Sequence, residues 1–294
     1  MTGQPFRVAL SGQRPRRTVV DAADGVGMIR GEYVMRSAGA WIDRPAGRSA
    51  VAEYAAAVAD AFAPKPVWYR TSDFEEVEVD ILVGDDRAPF RGDNPILSER
   101  GVRRGRLYPD ELAAEIEAVA SAARTRPNLH LMFSYVGDAD DFTFARDLAR
   151  ASRFPNELGT MVEVPAAAMQ ADELCRLGAT NLTIGTNDLT TLLLGAERSS
   201  QAWRKSHPVL GTLIGSVVAA GRRHAVPVSI AGYLRVEDVT ALGATAPDHF
   251  VFHYHELGDL MPGRFALGAD DRVLPAKTWA ERPAAWSTPA AVNG

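Results

Sequence analysis

Short apolar, β-branched runs alternate with helix-spaced patterns almost to the C-terminus of this 294-residue chain. No other feature restricts the fold as much, because successive strand–helix–strand units build a parallel sheet whose strands are covered by helices. Runs read as strands fall at 6–10, 26–30, 67–70, 129–134, 160–164, 181–184, 226–230 and 249–253. Patterns read as helices fall at 17–23, 49–62, 109–124, 139–152, 165–177, 209–224 and 236–242. Eight strands in this order predict an α/β fold closed as a (β/α)8 TIM barrel over 1–268. The stretch at about 72–108 has no clear period and is long for a loop, which marks it as a functional excursion. The Ala/Pro-rich segment 269–294, with Pro275, Pro283 and Pro289, reads as a poorly ordered tail or a strap across a neighbour.

Charge and composition remove several function classes. Against 37 Asp+Glu there are 32 Lys+Arg, a formal net charge of −5, so no general nucleic-acid or anionic-membrane surface is expected. Local arginine clusters can still bind a small anion. No apolar run reaches the roughly 18 residues of a bilayer span, and no leader is read at the start of the chain. The single cysteine, Cys175, has no internal disulfide partner. The expectation is a soluble, cytoplasmic protein in which Cys175 packs within a helix as a small apolar residue.

In such a barrel the chemistry belongs to the C-terminal ends of the strands. The polar residues placed there are Arg30, Arg70, Ser134, Glu163, Asn187, Asp188, Tyr233 and His253. An arginine closing an apolar run such as 26–29 needs a carboxylate or a ligand anion. A bridge from Arg30 to Glu32 or Asp73 is one solution; a guanidinium fork on a substrate carboxylate or phosphate is the other. Glu163 and Asp188 are hard oxygen ligands from adjacent strands, Asp188 a short turn beyond its own, and with water and substrate they describe a Mg2+ site. Asp188 as the cap of a helix starting at Leu189 is the plainer alternative. His253 and His255 alternate on the last strand and so share a face. With Tyr233 they are candidates for proton transfer, or else wall and rim.

Several motifs together resemble the C-terminal barrel of the PEP-utilising enzymes, the family of pyruvate phosphate dikinase, PEP synthase and enzyme I of the sugar phosphotransferase system. They are GVGMIRGEY at 25–33, VWYRTSD at 67–73, NPILSERG at 94–101, MVEVP at 161–165 and IGTNDLT at 184–190. GAER at 195–198, HPVL at 207–210 and PVSIAG at 227–232 follow in family order. The resemblance implies a barrel of the PEP/pyruvate type in which Arg30, Arg70, Arg100 and Arg198 hold the phosphate and carboxylate of PEP. It implies Glu163 and Asp188 as ligands of Mg2+, or of Mn2+ in its place, and Asn187 as a phosphate contact. Ala231 and Gly232 fall on the substrate-binding strand end. Barrels of this family commonly dimerise, which leaves a homodimer and a monomer both open.

The chain departs from the family pattern at the end of the seventh strand. The family's Cys-Gly pair, whose thiol protonates the enolate carbon, is Ala231-Gly232 here. Ser134 and Glu99 stand where the family usually has proline and an aromatic residue, and 72–76 lacks the usual Gly-Gly-Asp-Lys-like run. No segment is left over for the swivelling phosphohistidine domain that the family's phosphotransfer uses. Three readings follow. The first is a Mg2+-dependent enzyme that binds PEP, pyruvate, oxaloacetate or a related 2-oxo acid and acts through an enolate in lyase, decarboxylase or aldol-type chemistry, with Arg30, Arg70, His253 and Tyr233 catalytic. The second is a PEP phosphotransferase barrel acting in trans with a separate phosphohistidine domain. The third is a non-catalytic regulatory protein binding the same ligands.

Overall fold

The computed structural model describes residues 5–74, 82, 97–265, 267, 268 and 271. Eight parallel strands pair in sequence order and close into a barrel. They are β1 Phe6–Leu10, β2 Val26–Arg30, β3 Val67–Arg70, β4 Leu129–Phe133, β5 Leu158–Val162, β6 Leu182–Gly185, β7 Val228–Ala231 and β8 His249–His253. Closure is made by β1 on β8, with Phe6 opposite Phe250 and Ala9 opposite His253. The expected (β/α)8 barrel is therefore the observed one. Four of the eight strands have the bounds read from sequence; β5, β6 and β7 are displaced by one or two residues and β4 ends one residue earlier.

Side chains alternate between two cores, as the period of two requires. Outward-facing residues such as Val8, Leu10, Ile29, Tyr69, Leu131, Phe133 and Ile184 pack with the helices into one large cluster. Inward-facing Ala9, Met28, Trp68, Met132, Met161, Ala231 and Val251 fill the barrel. Seven strands thus supply one plug residue each, so the barrel is packed and its chemistry is confined to the rim.

Helix α1 (Arg17–Ala22) follows β1, and α2 (Gly31–Ala38) and α3 (Pro45–Phe62) lie between β2 and β3. Before β4 come α4 (Gly101–Leu107) and α5 (Pro109–Ala123), and after it α6 (Ala139–Ala151). After β5 come α7 (Pro165–Met169) and α8 (Ala171–Arg176); α9 (Thr186–Leu194) and α10 (Pro208–Arg223) flank the loop after β6. A final pair, α11 (Val236–Gly243) and α12 (Leu257–Leu260), frames β8. The single helix expected at 165–177 is divided at Gln170 into α7 and α8. Residues 101–107 of the expected excursion are helical, whereas 75–81 and 83–96 of it, and nearly all of the expected tail, lie outside the described residues. Cys175 is buried in α8 as a packing residue. Among the described residues no helix is long and apolar enough to cross a membrane.

Candidate active site

The rim begins with carboxylate–guanidinium pairing. Arg30 and Arg70 close adjacent strands and sit opposite each other in the β2–β3 register. Glu32, two residues beyond Arg30 in the first turn of α2, points back between them and is buried. It accepts from Arg30 Nε at 3.1 Å and from Arg70 Nη2. Burial pushes this carboxyl upward, but the charges of Arg70, Arg30 and Arg36 together outweigh it and hold the group at about 2. The Glu32 bridge expected as one solution for Arg30 is therefore present, and it serves Arg70 as well. Asp73 is taken by a third arginine instead: Arg100 donates Nε to its Oδ1 at 3.1 Å and Nη2 to its Oδ2 at 2.6 Å. Such a planar fork fixes both partners.

Arg100 also reaches Asp188 Oδ2 at 3.4 Å, and Arg198 donates to Asp188 Oδ1 at 2.8 Å. The helix after β6 starts at Thr186 with no intervening turn, so Asp188 lies within its first turn and makes no capping hydrogen bond. The alternative role as helix cap is corrected accordingly: the carboxylate faces the barrel rim. Glu163 is buried just beyond β5 and accepts the backbone N–H of Tyr135 at 2.8 Å. Tyr135 adopts φ 45°, a left-handed conformation costly for a side chain of this size, which turns that N–H toward the carboxylate. Burial, then the charges of Asp73 and Asp188, push Glu163 up to about 8, against the pull of Arg70. Space for the carboxylate is kept by Gly185, where a Cβ would lie 2.6 Å from Glu163 Oε2.

The far side of the rim is aromatic and basic. Tyr233 stacks on His253 with centroids 4.7 Å apart. His253 ends β8, whereas His255 lies in the following 3-10 turn, Tyr254–Glu256, and not on the strand as expected. The two imidazoles still come within 5.4 Å because the turn folds back over the rim. Burial, then the charges of Arg30, His255, Arg70 and Lys205, drive His253 well below its ordinary value, so its imidazole is neutral. Ala231 is part of the barrel plug, and its carbonyl accepts the Thr186 hydroxyl at 2.8 Å. Gly232, at φ 138°, packs against Thr186, Asn187 and Lys205, and a Cβ there would lie 2.3 Å from Thr186 Oγ1. Asn187 Oδ1 and His253 Nδ1 are buried with no hydrogen-bond partner. Buried polar atoms of this kind normally find one, here a ligand or water. Ser134 is fully buried and ties β4 to the end of β3, its Oγ donating to the Ser72 carbonyl at 3.0 Å.

Sequence reading missed Lys205, Glu115 and Glu256. Glu115, on α5, accepts Tyr69 Oη and the Ser72 N–H on Oε1 and the Ser72 hydroxyl on Oε2, each at 2.8 Å, and so holds the chain just before Asp73. In the sequence Glu115 is one of several acidic residues in the helical pattern at 109–124; only the fold reveals that Tyr69 points out of the barrel toward it. Burial pushes Glu115 up to about 7. Its protonated form is favoured in the folded chain, so its contribution to stability is complete below 4.5 and declines as pH rises toward 7. A Glu115→Gln variant should therefore lose stability less steeply than the parent in urea titrations between those pH values; identical slopes would contradict this.

A Mg2+ ion needs no dedicated protein cage and is commonly held by one or two carboxylates with water and substrate oxygens. Among the described residues no group of three or more His, Cys, Asp or Glu is arranged for a metal. Glu163, raised by burial and then by the charges of Asp73 and Asp188, and Asp188 itself are the hard carboxylates of the rim that would suit a cation of this sparing kind.

A closed parallel barrel with arginines and carboxylates gathered at the carboxyl ends of its strands defines an α/β barrel of the sort on which active sites are built. The family model of the PEP-utilising enzyme PEP-binding domain matches residues 13–242, and the chain belongs to that family. It is 34% identical over 232 residues to the probable phosphoenolpyruvate synthase of Pyrococcus abyssi, covering 74% of this chain and 28% of that protein. It is 31% identical over 225 residues to the multiphosphoryl transfer protein of Xanthomonas campestris, covering 74% of this chain and 26% of that one. The chain thus spans less than a third of the length of these curated relatives. Among solved structures, Haloferax volcanii malate synthase in its magnesium/glyoxylate complex matches with a TM-score of 0.51 at 11% identity, over 90% of this chain and 74% of that one. That likeness concerns the fold alone.

Proposed function

We propose that this barrel is a Mg2+-dependent enzyme that binds PEP, pyruvate, oxaloacetate or a related 2-oxo acid and works through an enolate. The observation that carries this reading is the convergence of Arg30, Arg70, Arg100 and Arg198 with Glu163, Asp188 and Asp73 on one rim. Arg30 and Arg70, pre-aligned by Glu32, supply the fork for the substrate carboxylate and stabilise negative charge as it develops on the enolate oxygen. Arg100 and Arg198, already on Asp188, are placed to take a phosphate or second carboxylate, and Asn187 offers a polar contact beside them. Glu163 and Asp188 would hold the cation, whose chemistry when bound is to polarise the carbonyl as a Lewis acid. Tyr233 and neutral His253 form a wall that keeps water from the reacting carbon.

Oxalate, the planar dianion that mimics a pyruvate enolate, is the direct probe. By titration calorimetry it is expected to bind with Mg2+ present and to lose at least tenfold in affinity when EDTA replaces Mg2+ or when Arg70 is changed to methionine. Binding that is indifferent to both would contradict the reading. The similarity to a multiphosphoryl transfer protein favours one second reading, a barrel exchanging phosphate with PEP in concert with a phosphohistidine domain. Label from [32P]PEP appearing on a histidine of such a domain, with no turnover of 2-oxo acids, would favour it.

A further inference from the structure

Lys205 lies in the loop between α9 and α10, flanked by exposed Arg204 and Ser206, yet it is buried. Its loop is anchored by Trp203, whose Nε1 donates to Thr191 Oγ1 at 2.9 Å, and the Lys205 ammonium lies 5.6 Å from the Trp203 ring. From there the side chain turns inward and Nζ donates to the carbonyl of Tyr233, just beyond β7. A Cβ placed on Gly232 would lie 2.3 Å from Thr186 Oγ1, 3.2 Å from Asn187 Oδ1 and 3.4 Å from this Nζ, so the ammonium and the partnerless amide oxygen gather around the same residue at the end of β7. A long cationic side chain in an exposed loop ordinarily stays in water, because burial of its charge is costly. This one is directed into the rim with a single backbone acceptor shown for its three N–H groups.

We propose that Lys205 is the proton carrier of the site, exchanging a proton with the carbon next to the carbonyl of a bound 2-oxo acid at the end of β7. This rests on the enolate reading above. In the forward sense the Lys205 N–H bond breaks and its electron pair stays on nitrogen. The enolate π pair forms the new C–H bond, the oxygen lone pair closes the carbonyl, and the neutral amine recovers a proton from water. In reverse the amine takes a methyl proton and the C–H pair becomes the enolate double bond. Neighbouring groups are suited to this and not to the alternatives. Ala231 has no proton to give, and His253, held neutral, is a weak base. Burial is the main force lowering Lys205, to about 8; Arg198 and Arg235 lower it further, while Asp238 on α11 and Glu256 in the 3-10 turn oppose them. A carrier works best when its value lies near the working pH.

The test is proton NMR of the full chain with Mg2+ and pyruvate in D2O, following loss of the methyl signal, beside calorimetric titration with oxalate. Lys205→Met and Lys205→Arg are expected to slow exchange by about 100-fold or more while oxalate affinity stays within threefold of the parent. Arginine keeps the charge and the donor to Tyr233 but does not release a proton at neutral pH, so it separates proton transfer from charge. The rise of exchange rate with pH toward 8 should be lost in both variants. Exchange in Lys205→Met or Lys205→Arg within threefold of the parent overturns the role of Lys205 alone. Absence of exchange in the parent overturns the enolate reading with it. A borohydride-stable pyruvate adduct on Lys205 also overturns it, since the amine would then act as a nucleophile.

Discussion

Replacing Glu163 by glutamine is expected to reduce Mg2+-dependent methyl exchange of pyruvate by about 10³-fold, the equivalent of about 4 kcal/mol of transition-state stabilisation, as befits loss of a Lewis-acid ligand. Glutamine keeps an acceptor for the Tyr135 N–H that Glu163 now receives at 2.8 Å, so the local backbone has no cause to move. The variant should also be at least as stable as the parent without metal. Glu163 is a buried carboxyl beside Asp73 and Asp188, raised to about 8, and its neutral replacement removes that conflict. Stability maintained or gained while exchange collapses is a pattern that a merely structural residue does not give. Unfolding in urea and the NMR assay on the same preparation would show it, and a variant exchanging within tenfold of the parent would contradict it.

Glu32 has the opposite character. Its side chain lies between Arg30 and Arg70, with Arg36 near, and Glu32→Ala leaves buried guanidinium groups without their shared counter-charge. Breaking a buried pair in this way costs about 3–5 kcal/mol, read as a fall in the urea midpoint. In the parent the group is held at about 2, below the ordinary 4.5, so its contribution is fully present above 4.5 and is lost as pH falls toward 2. Oxalate should restore part of the loss in the variant, because an anion delivered to Arg30 and Arg70 replaces the missing carboxylate and stabilises by linkage. A midpoint unchanged by the substitution, or a variant insensitive to oxalate, would contradict a shared Arg–Glu–Arg fork.

The barrel was legible because its signal is repetitive: eight apolar runs at the right intervals leave few alternatives, and the exact bounds of β1, β2, β3 and β8 came with them. Helices α2, α4 and α12 were not legible, and α9 was legible only from Leu189. Helix α2 opens on Gly31 directly after a strand and carries Tyr33, Val34 and Met35, residues that suit a strand as well as a helix. Helix α9 is rich in threonine, and the sequence suggested it only from Leu189; it starts three residues earlier, at Thr186, directly after β6. The rim residues Arg30, Arg70, Glu163 and Asp188 could be named because strand ends are where such a fold exposes its chemistry. Their pairing could not, since Arg100 joins Asp73 and Asp188 across 27 and 88 residues of chain. Lys205 left no trace at all: in sequence it is one basic residue among arginines in a polar loop, and its burial follows only from where β7 ends.

The central claim is that this rim stabilises an enolate with the help of a divalent cation. Proton NMR of the unmodified chain with pyruvate in D2O, run with Mg2+ and again with EDTA, tests it most directly. The expected result is deuterium entering the pyruvate methyl group well above the protein-free rate with Mg2+ and falling to that rate with EDTA. Oxalate bound tightly in the presence of Mg2+, with no exchange above the protein-free rate under any condition, would contradict it.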